Sequence, residues 1–279
     1  MSLGILTNVA ATYAENNLNQ TQGSLQTVLQ QLSSGSRINS GADDAAGLSI
    51  ADGLHANEAA LTQSAQNAQN GVGLLQTADG ALSQVTNLLD RAVTLATEAA
   101  NGGLTTAQST AADTEFQSIL TEIGNIGSST NFNSTAVFSA TATDFVVSDG
   151  TTAGTTTISA TIGALSSANV GSGTGVDLSA QVLTSQTAAQ TALGKITTAV
   201  ADVAAQRGAI GASINQLNAA ANVASSEQVN LSSAESAIRS TNYGQATSDL
   251  AKYQVLSQTG ISALAQANSV QQEILKLLQ

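Results

Sequence analysis

Leu54, Leu61, Ala68, Leu75, Leu82, Leu89 and Ala96 stand seven positions apart in an unbroken series, in a chain that contains no Pro to kink the helix they describe. A sustained seven-residue spacing keeps one apolar seam facing a neighbouring helix over many turns. Ala65, Val72 and Val93 add apolar positions between. A second series repeats the pattern: Ile196, Val203, Ile210, Leu217, Ala224, Leu231 and Ile238, supplemented by Leu193, Val200, Ile214 and Ala221. At ~1.5 Å per residue each series predicts a helix of roughly 60 to 75 Å, longer than an ordinary domain is wide. The pattern predicts a rod.

Weaker versions of the same signal occupy the two ends, with Leu18, Leu25, Val28 and Leu32 near the start and Leu256, Ala263, Ala267, Val270, Ile274 and Leu277 near the finish. Helices of this length draw most of their stability from a partner that covers the apolar face. The two ends can pair with each other, but a two-helix pair with apolar residues on its outside still exposes surface of the kind that marks association. A head-to-tail contact that does not close produces a filament. Between the long helices the composition turns to Thr, Ser, Gly and Val. There Asp144–Gly150 and Thr155–Ile162 read as two strands joined by a Gly-containing loop, and Gly171–Gly175 as a flexible return. The expected fold is mainly α, built on long helices, with a small β region in mid-chain.

Composition narrows the function. A formal net charge of −12 repels nucleic acid and anionic membrane surfaces. The absence of Cys removes disulfides, thiolate chemistry and the usual structural zinc sites. Met1–Asn8 carries no Lys or Arg before its short apolar run, so no cleaved secretory signal is expected, and no apolar run is long enough for a membrane span.

Candidate chemistry is sparse. Asp43 and Asp44 are adjacent carboxylates whose expected work is capping a helix start, with Arg37 as ion-pair partner. His55 has no second His or Cys at ligand spacing, so no metal is expected. Gly71-Val72-Gly73 lies inside the heptad series rather than after a strand and reads as a close helix–helix contact, not a phosphate loop. An enzyme or small-ligand module would have to sit between about residues 134 and 180, where the only acids are Asp144, Asp149 and Asp177 and no His, Glu, Cys or Lys occurs. No catalytic residue and no cofactor is expected.

One stretch is recognisable. Leu32-Ser33-Ser34-Gly35-Ser36-Arg37-Ile38-Asn39-Ser40-Gly41-Ala42-Asp43-Asp44-Ala45-Ala46-Gly47-Leu48 resembles the N-terminal signature of bacterial flagellin, carried most specifically by Gly35, Arg37, Ile38, Asn39, Asp43, Asp44, Ala45 and Gly47. Gln66–Gly71, Leu75–Leu82, Ala99–Gly102 and Thr130–Asn133 follow in family order. Arg207–Ala212, Ala234–Arg239, Ala265–Asn268 and Leu275–Leu278 are similar to the C-terminal part. The likeness covers roughly residues 1–133 and 180–279. It departs at Leu6, where many relatives have Asn, at Asn242, where they have Asp, and at Val270, where Pro is common.

The resemblance implies an antiparallel, elongated coiled-coil rod. Residues 1–45 with 240–279 would form the terminal inner-core domain, 46–133 with 180–239 the long-helix shell, and 134–179 a short variable β region facing outward. It implies a subunit that polymerises into the extracellular flagellar filament, with a hook–filament junction protein as the alternative. Leu18, Leu25, Val28, Leu32, Leu256, Ala263, Ala267, Val270, Ile274 and Leu277 would serve assembly. Arg91, Leu95 and Glu115 occupy the positions that bear Toll-like receptor 5 recognition in many flagellins. Further implied partners are the type III export apparatus, a chaperone on the C-terminal region, and the hook-associated and cap proteins.

Overall fold

The computed structural model describes residues 7–149, 156–171 and 175–277, with helical side chains as far as 273. Leu6 and Gly173, and the side chains of Ile274 and Leu277, fall outside that description. Five helices and two antiparallel strand pairs are described: α1 Val9–Ser34, α2 Ala45–Ala99, α3 Thr106–Ser129, β1 Asn131–Phe132, β2 Thr135–Ala136, β3 Ala142–Val146, β4 Thr157–Thr161, α4 Gln186–Arg239 and α5 Tyr243–Leu277. The chain divides into two compact units, residues 1–56 with 230–279 and residues 57–229, and α2 and α4 contribute residues to both.

In the 57–229 unit the heptad positions are the core. Ala68, Leu75, Leu82, Leu89 and Ala96 of α2 are buried, as are Ile196, Val203, Ile210 and Leu217 of α4. Burying a Leu or Ile side chain contributes about 1.5–3 kcal/mol, so the seams hold the two helices together along their length. The helices run antiparallel: Gly71 packs on Leu217, and Asp79, further along α2, pairs with Arg207, earlier on α4, at 2.8 Å.

The sequence reading singles out no helix between 106 and 129, and α3 fills that stretch. Its start is a capping box in which Thr105 Oγ1 accepts from the Gln108 N–H and the Gln108 side chain accepts from the Thr105 N–H at 2.9 Å. Phe116, Ile119, Leu120 and Ile123 then fall on one face and are buried in the core. Spacing of i, i+3, i+4, i+7 was the signal for it.

Two hairpins lie on this helical frame. β1 and β2 are joined through Asn133 and Ser134, both at positive φ (49° and 63°), the turn that matches strand twist in a two-residue hairpin. β3 and β4 pair from Ala142↔Thr161 to Val146↔Thr157, close to the strands read from sequence. Phe145 packs on α2 at Gly71, where a Cβ would lie 2.9 Å from the ring. Gly71 is therefore a helix–helix contact, as expected, and also a seat for the hairpin. Ser64 Oγ donates to the Ser148 carbonyl at 2.6 Å and fastens the hairpin's end.

Residues from the stretch after β4 join the core as well: Ile162, Leu165, Val170, Val176 and Leu178 are all buried. The buried Gln206 side chain of α4 holds this segment, its amide oriented to donate to the Gly171 carbonyl at 3.1 Å and accept from the Gly163 N–H at 2.8 Å. A buried amide is stable only when both ends are satisfied, and here they are.

Candidate assembly interface

α1 and α5 pair antiparallel within the first unit. Asn8 Nδ2 donates to the Ala267 carbonyl at 2.9 Å, and Thr241 Oγ1 donates to the Gln31 carbonyl at 3.3 Å near the other end. Between them α5 presents Gly260, where a Cβ would lie 3.2 Å from Leu18 Cδ1. The covered face of α1 is Leu18, Leu25, Val28 and Leu32, and that of α5 includes Ala246, Tyr253, Leu264 and Ala267.

Large apolar residues also stand exposed among the polar ones on both helices. Val9, Tyr13 and Leu29 on α1 are exposed, as are Val255, Leu256, Ile261 and Val270 on α5, with Tyr13 at 68% and Val255 at 65%. Leu18, Leu25, Val28, Leu32 and Ala267 are thus covered within the chain, while Val270 and, along the groove between the two helices, Leu256 and Ala263 remain exposed. The heptad template selects one seam per helix, so it passes over Val9, Tyr13, Leu29, Val255 and Ile261. They form no single stripe, since at ~100° per residue Leu29 lies across α1 from Val9, and Ile261 across α5 from Val270.

The segment after α1 is built from the residues singled out in sequence. Gly35 closes α1 in the left-handed region (φ 72°), its N–H donating to the Gln31 carbonyl. A Cβ there would lie 2.9 Å from the Tyr243 hydroxyl, so Gly is required twice over. Ser36 bridges Ser240, and the Arg37 N–H donates to the Arg239 carbonyl at 2.6 Å. The Arg37 guanidinium donates to the Ile238 carbonyl at 2.9 Å, and Ile38 is buried beneath, 1% exposed.

Asp43 accepts from the N–H groups of Ser40 (2.8 Å) and Asn39 (3.1 Å) and from Ser40 Oγ. The Ser40 backbone bond, then the Asn39 bond, hold its carboxyl below the usual range, because they favour the charged form. Asp44 caps α2 by accepting from the Gly47 N–H at 2.8 Å and lies 3.7 Å from Arg37. Gly47 leaves room for it: a Cβ would meet the Asp44 carboxylate and lie 2.9 Å from Ile38 Cδ1. Ala45 is the first residue of α2 and is exposed. The expected cap and ion pair are both present on Asp44, whereas Asp43 closes the turn before the helix. Together these residues latch the end of α1 to the α4–α5 junction.

Comparison with known proteins bears on what such an arrangement is for. The model of the bacterial flagellin N-terminal helical region matches residues 5–143 and that of the bacterial flagellin C-terminal helical region residues 193–278. A flagellin of Halalkalibacterium halodurans is 32% identical over 272 residues, covering 97% of this chain and 98% of that protein. The chain belongs to the bacterial flagellin family. Flagellin FlaB2 of Treponema pallidum is likewise 32% identical, over 286 residues, with 97% and 98% covered. Flagellin 1 of Proteus mirabilis is 39% identical over 151 residues, which span 54% of this chain and 41% of that one.

As a flagellin it is a structural subunit that self-polymerises into the flagellar filament, not an enzyme. Whole-length similarity to flagellins favours this over a hook–filament junction protein. The filament that such homologues form is extracellular, and among the described residues no helix is long and apolar enough to cross a membrane.

The remaining sequence candidates have definite places in this flagellin. Arg91 and Glu115 are exposed and form a bidentate pair at 2.7 and 3.0 Å. Each favours the other's charged form, so the guanidinium pKa is raised and the carboxyl pKa lowered. Leu95 is buried in the core at 3% exposure. His55 lies 3.5 Å from Glu235. Asn242 caps α5, its side chain accepting from the Gln245 N–H at 3.2 Å. Val270 continues α5 where Pro would interrupt it.

Proposed function

We propose that the α1–α5 pair is the subunit–subunit seam of the filament's inner tube. The observation that carries this is that the two helices, already paired, still leave Val9, Tyr13, Leu29, Val255, Leu256, Ile261 and Val270 in water. A second copy of the chain would cover them, and a contact that repeats without closing gives a helical polymer. Residues 1–45 with 240–279 then line the tube, 46–133 with 180–239 form the shell around it, and 134–179 face outward. Leu18, Leu25, Val28, Leu32 and Ala267 hold the pair together so that Leu256, Ala263 and Val270, with Ile274 and Leu277 beyond, can meet neighbours.

The test is polymerisation of the purified chain under salting-out conditions, viewed by electron microscopy. Val255→Asp with Leu256→Asp should keep the helical circular dichroism of the parent and yield no filaments. Normal filaments from the folded double variant would overturn the assignment.

The same reading includes passage through the flagellar type III export apparatus to the cell exterior, a chaperone on the α5 face before assembly, and contact with the hook-associated and cap proteins at the filament's ends. It also places a Toll-like receptor 5 epitope on the exposed Arg91–Glu115 pair, with Leu95 of α2 buried in the core beside it. Depolymerised Arg91→Ala subunit should give a weaker receptor-reporter response than the parent, and an equal response removes the epitope.

A further inference from the structure

The chain has two Asn–Gly pairs, Asn70-Gly71 and Asn101-Gly102, and the fold treats them oppositely. Asn70-Gly71 lies inside α2, where the Gly71 N–H is committed to the helical ladder and Gly71 is buried beneath Phe145 and Leu217. Asn101-Gly102 lies just beyond the end of α2, in the turn before α3. Asn101 and Gly102 are both exposed. The Asn101 N–H donates to the Glu98 carbonyl at 3.2 Å, but among the described residues no hydrogen bond takes the Asn101 side-chain amide or the Gly102 N–H.

We propose that Asn101-Gly102 is a site of spontaneous backbone-assisted deamidation, and that α2 protects Asn70-Gly71 from the same reaction. The Gly102 nitrogen attacks Asn101 Cγ, the new C–N bond closes a five-membered succinimide, and the side-chain nitrogen leaves as ammonia. Water then opens the ring at either carbonyl to leave aspartate or isoaspartate. The balance is Asn plus water giving the acid plus ammonia, with no oxidant or reductant. Gly is what permits the attack, since no side chain shields its nitrogen and its backbone turns freely. At Asn70 the helical backbone holds the following nitrogen in a hydrogen bond and away from Cγ, so the helix must open locally first.

Conversion would matter to the fold. It places a carboxylate beyond the last turn of α2, close to Glu98, at the end of the helix where its dipole disfavours negative charge. Isoaspartate would also lengthen the backbone at a turn whose Gly102 (φ 61°) sits against the Gln186 side chain. The product is a chain with a loosened α2–α3 junction.

The test uses the full chain held at mildly alkaline pH, sampled over days and cut after Glu, which releases residues 99–115 as one peptide. The mass gain of amide-to-acid conversion should appear at Asn101 at least about tenfold faster than at Asn70, a ratio equivalent to about 1.4 kcal/mol of local opening. In denaturant the two rates should converge, because sequence alone then governs both. Asn101→Gln should lose the mass gain in that peptide and keep the parent's circular dichroism. Equal rates in the folded chain, or a difference that persists in denaturant, would overturn the proposal.

Discussion

Gly71 and Gly80 lie on the same helix and have the same missing side chain, yet the structure assigns them opposite values. A Cβ at Gly80 meets nothing within 4 Å, whereas one at Gly71 meets the Phe145 ring at 2.9 Å and Leu217 at 3.0 Å. Gly80→Ala should therefore stabilise the chain by roughly 0.5–1 kcal/mol through helix propensity alone. Gly71→Val should destabilise it by about 1–3 kcal/mol through overpacking. Thermal unfolding followed by circular dichroism reads both signs, and a Gly71→Val chain as stable as the parent would refute the close contact. Asp43 offers a pH-dependent counterpart. Its folded pKa is depressed, so its contribution is present above the ordinary carboxylate range and fades as pH falls below about 4. Asp43→Asn should be less stable than the parent at neutral pH, with the two curves drawing together in acid. A gap that stays constant down to low pH would assign the loss to some other cause.

For the elements, the helix ends carry information that the heptads do not. The Thr105–Gln108 capping box starts α3 after the exposed turn that follows α2, and α3 brings Phe116, Ile119, Leu120 and Ile123 into the core. Thr105→Ala should cost about 1 kcal/mol, the usual price of losing such a cap. Chemical denaturation gives the number directly, and no change would mean that tertiary packing alone sets the start of α3. The pairing of α1 with α5 depends instead on close approach at Gly260. Gly260→Val should push the helices apart and raise amide exchange at α1, while leaving α3 exchange as it was. If α1 exchange were unaltered, the contact would not be holding the pair.

Considered as a whole molecule, the chain has two units of unequal self-sufficiency. The 57–229 unit buries long Leu- and Ile-bearing seams, whereas the α1–α5 pair has Val28 and Ala246 as its only buried apolar residues among those with described side chains. Ordering costs roughly 1–2 kcal/mol of backbone entropy per residue, and burial returns ~25 cal/mol per Å². On the proposed seam the end helices would gain most of their stability when neighbouring subunits cover them, coupling ordering to assembly. Removal of residues from Leu250 onward should leave the α2–α4 core helical and abolish polymerisation. Circular dichroism and sedimentation of the truncated chain decide it, and filaments formed without α5 would sink the idea.

The long helices were legible because a seven-residue repeat without Pro is a local, periodic property, and one that states its own geometry. The β3–β4 hairpin was legible for a similar reason, through two Thr- and Val-bearing stretches around a Gly loop. So was the segment from Gly35 to Gly47, as a pattern of residues, but its purpose was not: Arg37 reaches the carbonyls of Ile238 and Arg239, some two hundred positions away. Only the tertiary structure could show that Leu18, Leu25, Val28 and Leu32 are covered by α5 while Leu256 and Val270 remain in water, because periodicity identifies an apolar face without saying what meets it. For the same reason Ile162, Leu165, Val170 and Leu178 fall in a stretch read only as the variable β region and prove to be core. Their burial depends on α3, α4 and the Gln206 amide closing around them, a property of the assembled neighbours rather than of the segment itself.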